Sequence, residues 1–253
     1  MSVINWSTFL YLVLLLVPLL YLQRFLQREI QAVFLLITRQ PEISMALFSL
    51  LFLPGVLLHE LSHFLMAKLL DVPTGRFSII PRKLDGGRIQ LGYVETVSTD
   101  FVRDALIGVA PLVTGVIFVA VAGVTRLGIN ALWEGLLQGQ LSSLNPILAS
   151  MVARPDFWLW FYLVFTISST MLPSASDRRA WLPLILVILF LLGVVLVVGV
   201  GPWLLSTIGP TIKSALNATM MVLGITVLIH LVLFPPIFFL RKLLSRLLGL
   251  QVV

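Results

Sequence analysis

Two histidines and a glutamate lie within a long apolar stretch, in the segment His59-Glu60-Leu61-Ser62-His63. An unpaired charge at the depth of a membrane costs about 2–3 kcal/mol or more, so such groups are rare there unless they have a function. The chain has only three histidines, and two of them belong to this H-E-x-x-H pattern. On a helix the pattern is typical of a metal site that carries its own general base. The segment must therefore fold so that these side chains face protein or metal rather than lipid.

Apolar stretches recur along the whole chain. Hydrophobic residues make up 59% of the 253 residues and charged residues only 11%, whereas a soluble domain has about 25% charged residues. This composition predicts an all-α polytopic membrane protein, with residues 1–253 forming a single membrane domain in the lipid bilayer. The net charge of +6 suits basic cytoplasmic loops and does not indicate nucleic acid binding. Because the chain has no cysteine, any metal must be bound by His, Asp or Glu.

About six segments are apolar enough to be transmembrane helices, since a span needs about 20 apolar residues. We expect them at residues 6–22, 43–70, 105–124, 157–172, 181–205 and 212–240. Residues 23–40 are predicted to form an amphipathic extension on the membrane surface. Residues 126–155 are predicted to connect the third and fourth spans through an interfacial helix.

A small membrane-associated β-hairpin is predicted after the second span, over residues 76–95. Two strand-like runs, at residues 76–80 and 88–95, flank the sequence Asp85-Gly86-Gly87. Both glycines tolerate a positive φ, which favours a tight turn between two strands.

Lysine and arginine predict the orientation of the chain. With six spans, eleven of the 17 basic residues lie on the side that holds both termini and the hairpin, and six lie on the other side. The positive-inside rule therefore places the termini and the active site towards the cytoplasm. The compact loops lead us to expect a prokaryotic plasma membrane.

The H-E-x-x-H segment has the spacing of a zinc site. Residues four apart stack on one face of a helix, so His59 and His63 can bind one Zn²⁺. Glu60 lies one position round from His59, so its carboxylate can flank the metal without binding it. Zinc lowers the pKa of a bound water to about 7, and Glu60 can then accept its proton. A catalytic zinc also needs a third protein ligand, and the candidates are Asp177, after the fourth span, and Asp85, in the hairpin turn.

The order of these elements resembles the site-2 protease family of intramembrane zinc metalloproteases. In that family a span with H-E-x-x-H is followed by a strand-bearing loop and by a later span with N-x-x-P and L-D-G, whose Asp is the third ligand. Asp85 lies in a Leu-Asp-Gly sequence, as the third ligand of that family does. Asp177 instead matches the place of that ligand in the order of elements, because it follows a later span. At the end of this span, Thr170 and Pro173 take the places of the family's Asn and Pro. We favour Asp177 because motif context outweighs motif letters. The resemblance covers residues 43–180 and no PDZ domain is expected.

The resemblance implies a hydrolase, a zinc metalloendopeptidase that cleaves a transmembrane protein or peptide substrate. Residues 43–180 would be its three-span core, and residues 1–42 and 181–253 would be accessory spans. Glu60 would be the general base, and the zinc ligands would be His59, His63 and Asp177. Thr170 and Ser169 would contact substrate in place of the family's Asn. The oligomeric state does not follow from the sequence.

Two other functions are compatible with the same residues. The chain could be a membrane-embedded zinc protease for soluble or surface peptides, or a protease-like membrane protein without activity. The intact Glu60 argues against the second, because a structural metal site needs no general base. His230, alone in the sixth span, is expected to be an interhelical hydrogen-bond partner rather than a ligand. Gly108 and Gly115 are expected to allow close helix packing.

Overall fold

The computed structural model describes residues 6–83, 89–137, 139 and 141–250, and it is mostly helical. The helices are α1 (Trp6–Thr38), α2 (Pro41–Leu51), α3 (Leu53–Leu69), α4 (Phe101–Ala122), α5 (Ile129–Leu137), α6 (Leu141–Val152), α7 (Phe157–Thr170), α8 (Trp181–Val197) and α9 (Gly201–Leu248). A π-helical turn, Gly123–Leu127, extends α4. The strands are β1 (Thr74–Ser78), β2 (Arg82–Lys83), β3 (Ile89–Gln90) and β4 (Tyr93–Thr96).

Three helical segments are long and apolar enough to cross a membrane: Leu10–Thr38, Phe101–Leu127 and Ser206–Leu248. Two bent pairs, α2 with α3 and α6 with α7, raise the number to five if each pair is one span. The fold is therefore compatible with a membrane protein, in agreement with the predicted class, but the described residues do not confirm six spans.

The predicted fifth span, residues 181–205, is interrupted in the structure. Helix α8 ends at Val197, Gly199 has a φ of 79°, and α9 begins at Gly201. A left-handed glycine commonly ends a helix, because other residues are strained at positive φ. Large apolar side chains of α8 are exposed, among them Leu186 and Phe190, as expected for a surface in contact with lipid.

Residues 23–38 do not form the separate surface extension that the sequence predicts, because they continue α1 without a break. Their buried side chains recur every three or four residues, at Leu26, Ile30, Val33 and Leu36. This spacing makes one apolar stripe along the helix, and α1 packs extensively against α9. The expected amphipathic face is therefore a packing face inside the protein.

The predicted hairpin is present as two consecutive antiparallel pairs. β1 pairs with β4, with Phe77 opposite Val94 and an irregularity towards Thr74, and β2 pairs with β3. The predicted second strand is interrupted at residues 91–92, between β3 and β4. The turn Asp85-Gly86-Gly87 lies outside the described residues.

Helices α3, α4 and α7 pack against one another and form the centre of the fold. Phe52 is fully buried at the break between α2 and α3, where the chain bends by 69° and Pro54 follows. The Tyr162 hydroxyl of α7 donates to the Leu51 carbonyl at this break, over 2.8 Å. Such a bond satisfies a backbone group that the bend would otherwise leave unpaired in an apolar environment. The predicted interfacial segment before α7 consists of two short helices, α5 and α6.

Candidate metal centre

His59 and His63 lie one turn apart on α3, with their Nε2 atoms 3.2 Å from each other. The His59 Nδ1 atom is 2.7 Å from the Thr170 carbonyl oxygen, and the His63 Nδ1 atom is 2.8 Å from the Ile107 carbonyl oxygen. A carbonyl oxygen can only accept, so each Nδ1 carries the proton and donates it. Each Nε2 is therefore left with a free lone pair, which is the state in which imidazole binds metal.

Asp177 reaches this pair from the loop after α7. Its carboxylate oxygens lie 3.5 Å from His63 Nε2 and 3.8 Å from His59 Nε2. The backbone N–H of Ser174 donates to Asp177 Oδ2 over 2.7 Å, and the Asp177 N–H donates to Ser174 Oγ over 3.3 Å. Burial raises the pKa of the Asp177 carboxyl, but hydrogen bonding with Ser174, together with the His59 and His63 rings in their protonated form, outweighs burial and lowers this pKa to about 2. The group is therefore an anion at neutral pH.

The distances between these three side chains fit a metal ion. Their ligand atoms all lie within 4.8 Å of one another. In a tetrahedral zinc site with bonds of 2.0–2.2 Å, neighbouring ligand atoms are about 3.3–3.6 Å apart. The separations of 3.2, 3.5 and 3.8 Å are close to this range. A cation would also relieve the contact between two lone pairs and a carboxylate that face each other, so the cluster could hold a metal ion.

Glu60 faces the same cavity, which has a volume of about 550 Å³ and is lined by Glu60 and by all three cluster residues. Glu60 is buried, at 8% exposure. The backbone of the hairpin passes close to it, since a Cβ atom at Gly92 would lie 2.8 Å from Glu60 Cγ. The remaining wall includes β4, the beginning of α4 and the loop after α7 that carries Asp177. The site thus combines three possible ligands with one further carboxylate in a single cavity.

The expected substrate residues have other contacts in the structure. The Thr170 hydroxyl donates to the Thr166 carbonyl over 3.0 Å, while the Thr170 carbonyl holds His59. Ser169 Oγ lies 3.0 Å from His230 Nε2. Neither Thr170 nor Ser169 is among the described residues that line the cavity, so their contact with substrate stays a prediction. The contact of Ser169 with His230, between α7 and α9, confirms His230 as an interhelical partner, and His230 Nδ1 also donates to the Thr226 carbonyl within α9.

Some of the groups that position the possible metal ligands could not be identified from the sequence. The carbonyls of Thr170 and Ile107 act through the backbone, which every residue possesses. Gly108 is the exception, because a Cβ atom there would lie 2.1 Å from the Asp177 carbonyl oxygen. Gly108 permits a close approach, but its neighbour is the loop that carries Asp177 and not, as expected, another helix. Asp85, the alternative third ligand, lies outside the described residues.

No protein-family model, curated protein or solved structure matches this chain. The resemblance to the site-2 protease family therefore depends on the motif and on the order of the elements.

Proposed function

We propose that this chain is an intramembrane zinc metalloprotease similar to the site-2 protease family, which hydrolyses peptide bonds of membrane-spanning substrates. The observation that carries the proposal is the convergence of His59, His63 and Asp177 on one cavity that also contains the Glu60 carboxylate. Two imidazoles and a carboxylate are the ligand set of many catalytic zinc sites, which keep the fourth position open.

Zinc would be held by Nε2 of His59, Nε2 of His63 and a carboxylate oxygen of Asp177. When bound, it would supply a water of lowered pKa and polarise the carbonyl group of the substrate. The two histidines are already oriented for this role, because backbone carbonyls hold both Nδ1 protons. Such outer partners fix the tautomer of a ligating histidine and increase its basicity.

Glu60 would transfer a proton from the attacking water to the leaving amine. Its carboxylate accepts a proton from the attacking water as the new C–O bond forms at the scissile carbonyl. It then donates that proton to the amide nitrogen as the C–N bond breaks, so the products are a carboxylic acid and an amine. The buried position of Glu60 suits this role, since electrostatic interactions are stronger where water is excluded.

The hairpin offers a place for the substrate backbone. A transmembrane helix has no free backbone groups, so it must unwind before cleavage. Among the described strands, β4 has β1 as its only partner, and Tyr93, Val94 and Thr96 of β4 line the cavity. An unwound segment could add to the free edge of β4 by strand pairing, which holds a peptide through its main chain.

The proposal is tested with a Glu60→Gln variant in proteoliposomes that contain a library of fluorogenic single-span peptides. We expect wild-type cleavage of some members, and a rate about 10²–10⁴ times lower for the variant, which is the usual contribution of a general base. Zinc content should not change. Glu95→Gln is the matched control, because this carboxylate accepts from the Arg76 N–H in the hairpin and does not line the cavity.

Three results would contradict the proposal in different ways. Glu60→Gln cleaving at the wild-type rate would exclude Glu60 as the base. Cleavage confined to peptides without a span would favour the protease for soluble or surface peptides. No cleavage by the wild type, together with full function of Glu60→Gln in cells, would favour the non-catalytic alternative.

A further inference from the structure

The C-terminal end of α7 carries three backbone carbonyls that side chains of other helices satisfy. The last carbonyls of a helix have no partner within it. At the end of α7, the Ile167 carbonyl accepts from the Met171 N–H. The next three carbonyls are those of Ser168, Ser169 and Thr170. The Thr170 carbonyl accepts from His59 Nδ1 and so orients one of the possible metal ligands.

The other two carbonyls accept from α1. Gln23 Nε2 donates to the Ser168 carbonyl over 2.7 Å, and Gln27 Nε2 donates to the Ser169 carbonyl over 3.2 Å. The two glutamines are four residues apart, so they lie on the same face of α1. Gln23 is only 5% exposed. Three consecutive carbonyls are therefore fixed by two glutamines of α1 and one histidine of α3.

In a membrane protein, glutamines that bond to another helix often do no more than hold the two helices together. Two observations connect these glutamines to the metal centre. The Ser168 and Ser169 carbonyls, which the glutamines bind, lie in the same helical turn as the Thr170 carbonyl. A shift of this turn would therefore move the carbonyl that accepts from His59. Asp177 also follows Thr170 by seven residues, on the chain that leaves the same turn.

We propose that Gln23 and Gln27 are positioning residues of the metal centre, although α1 lies outside the three-helix core. By holding the last turn of α7, they fix the Thr170 carbonyl that orients His59 and the start of the loop that carries Asp177. This inference rests on the metal binding assumed in the proposed function. It does not depend on proteolysis.

The test is the zinc affinity of purified full-length protein with both glutamines changed, Gln23→Met and Gln27→Met, measured by competition with a chromophoric chelator. Methionine keeps the length of the side chain and removes the donor. Loss of an outer partner of a metal ligand typically costs 10–100-fold in affinity, so we expect zinc binding to weaken about tenfold. The absorption bands of the cobalt-substituted protein should also shift, because they report the ligand geometry.

Gln31→Met is the matched control, since Gln31 lies on the same helix and accepts from the Ser44 hydroxyl of α2 through its backbone carbonyl. It should bind zinc like the wild type. If the double variant does not fold, Gln27→Met alone tests the proposal, because Gln27 is only partly buried. It should weaken zinc binding less than the double change but still beyond the control.

A purely structural role has a different signature. The zinc-free double variant would unfold at a lower temperature, while zinc affinity and the cobalt spectrum would equal those of the wild type, and this result would overturn the inference. Wild-type protein that binds no zinc would overturn the proposed function as well, so the titration of the wild type separates the two failures.

Discussion

Replacing Gly108 with alanine is expected to weaken metal binding by displacing Asp177. The added Cβ atom would lie 2.1 Å from the Asp177 carbonyl oxygen, whereas ordinary contact begins at 3.4 Å, so the two must separate by about 1.3 Å. The atom that this Cβ meets belongs to the Asp177 backbone, which cannot rotate away as a flexible side chain can. A ligand displaced by this amount is outside the roughly 0.2 Å tolerance of a zinc bond.

The expected loss of zinc affinity is therefore at least the 10–100-fold that changes outside the ligand shell produce. The assay is a competition titration with a chelating dye in detergent, together with a thermal unfolding curve of the zinc-free protein. Gly224→Ala is the matched control, because a Cβ atom there meets nothing within 4 Å and α9 gains helix propensity.

Wild-type zinc affinity in Gly108→Ala, with an unchanged unfolding curve, would refute this reasoning. It would mean that Asp177 is not a ligand or that the loop can move without cost. Equal loss of affinity in Gly108→Ala and in the control Gly224→Ala would also count against it, because the effect would then not depend on the contact with Asp177.

Three further predictions concern the same site. Asp177→Ala should lower the zinc content of the purified protein, measured by elemental analysis, from about one ion per chain to well below one. Asp85→Ala should leave the zinc content unchanged, and the reverse result would assign the third ligand to the hairpin. Removal of zinc by a chelator should lower the unfolding temperature by on the order of 5–10 °C, since zinc at 100 times its Kd stabilises by about 2.7 kcal/mol, and Asp177→Ala should not show this difference. Val94→Pro and Glu95→Pro test whether substrate pairs with the free edge of β4. Successive N–H groups of a strand point to opposite sides, so one of these prolines removes an N–H on the side of β1 and the other removes an N–H on the free edge. One of the two should reduce substrate cleavage while the protein stays folded, and full cleavage by both would exclude strand pairing.

Much of the site could be predicted from the sequence, because its central part is local. The spacing of His59 and His63 is enough to place both rings on one face of a helix, and the position of Glu60 follows from the same geometry. The apolar segments likewise indicate membrane helices wherever they are long enough, as at α4. The hairpin could also be predicted, from two strand-like runs on either side of Asp85-Gly86-Gly87. The interruption of its second strand, between β3 and β4, could not be predicted in this way.

The tertiary structure decided what depends on distant parts of the chain. His59 and the Thr170 carbonyl are 111 residues apart, and a backbone carbonyl gives no sign in the sequence that it will hold a ligand. Residues 23–38 show an apolar stripe that suits a membrane surface as well as a neighbouring helix, and only the packing against α9 distinguishes the two. The amphipathic pattern, the H-E-x-x-H segment and the composition come from the sequence by itself. The contact of Asp177 with both histidines, and the attachment of α1 to the end of α7, come from the fold, because long-range contacts are set by packing and not by spacing.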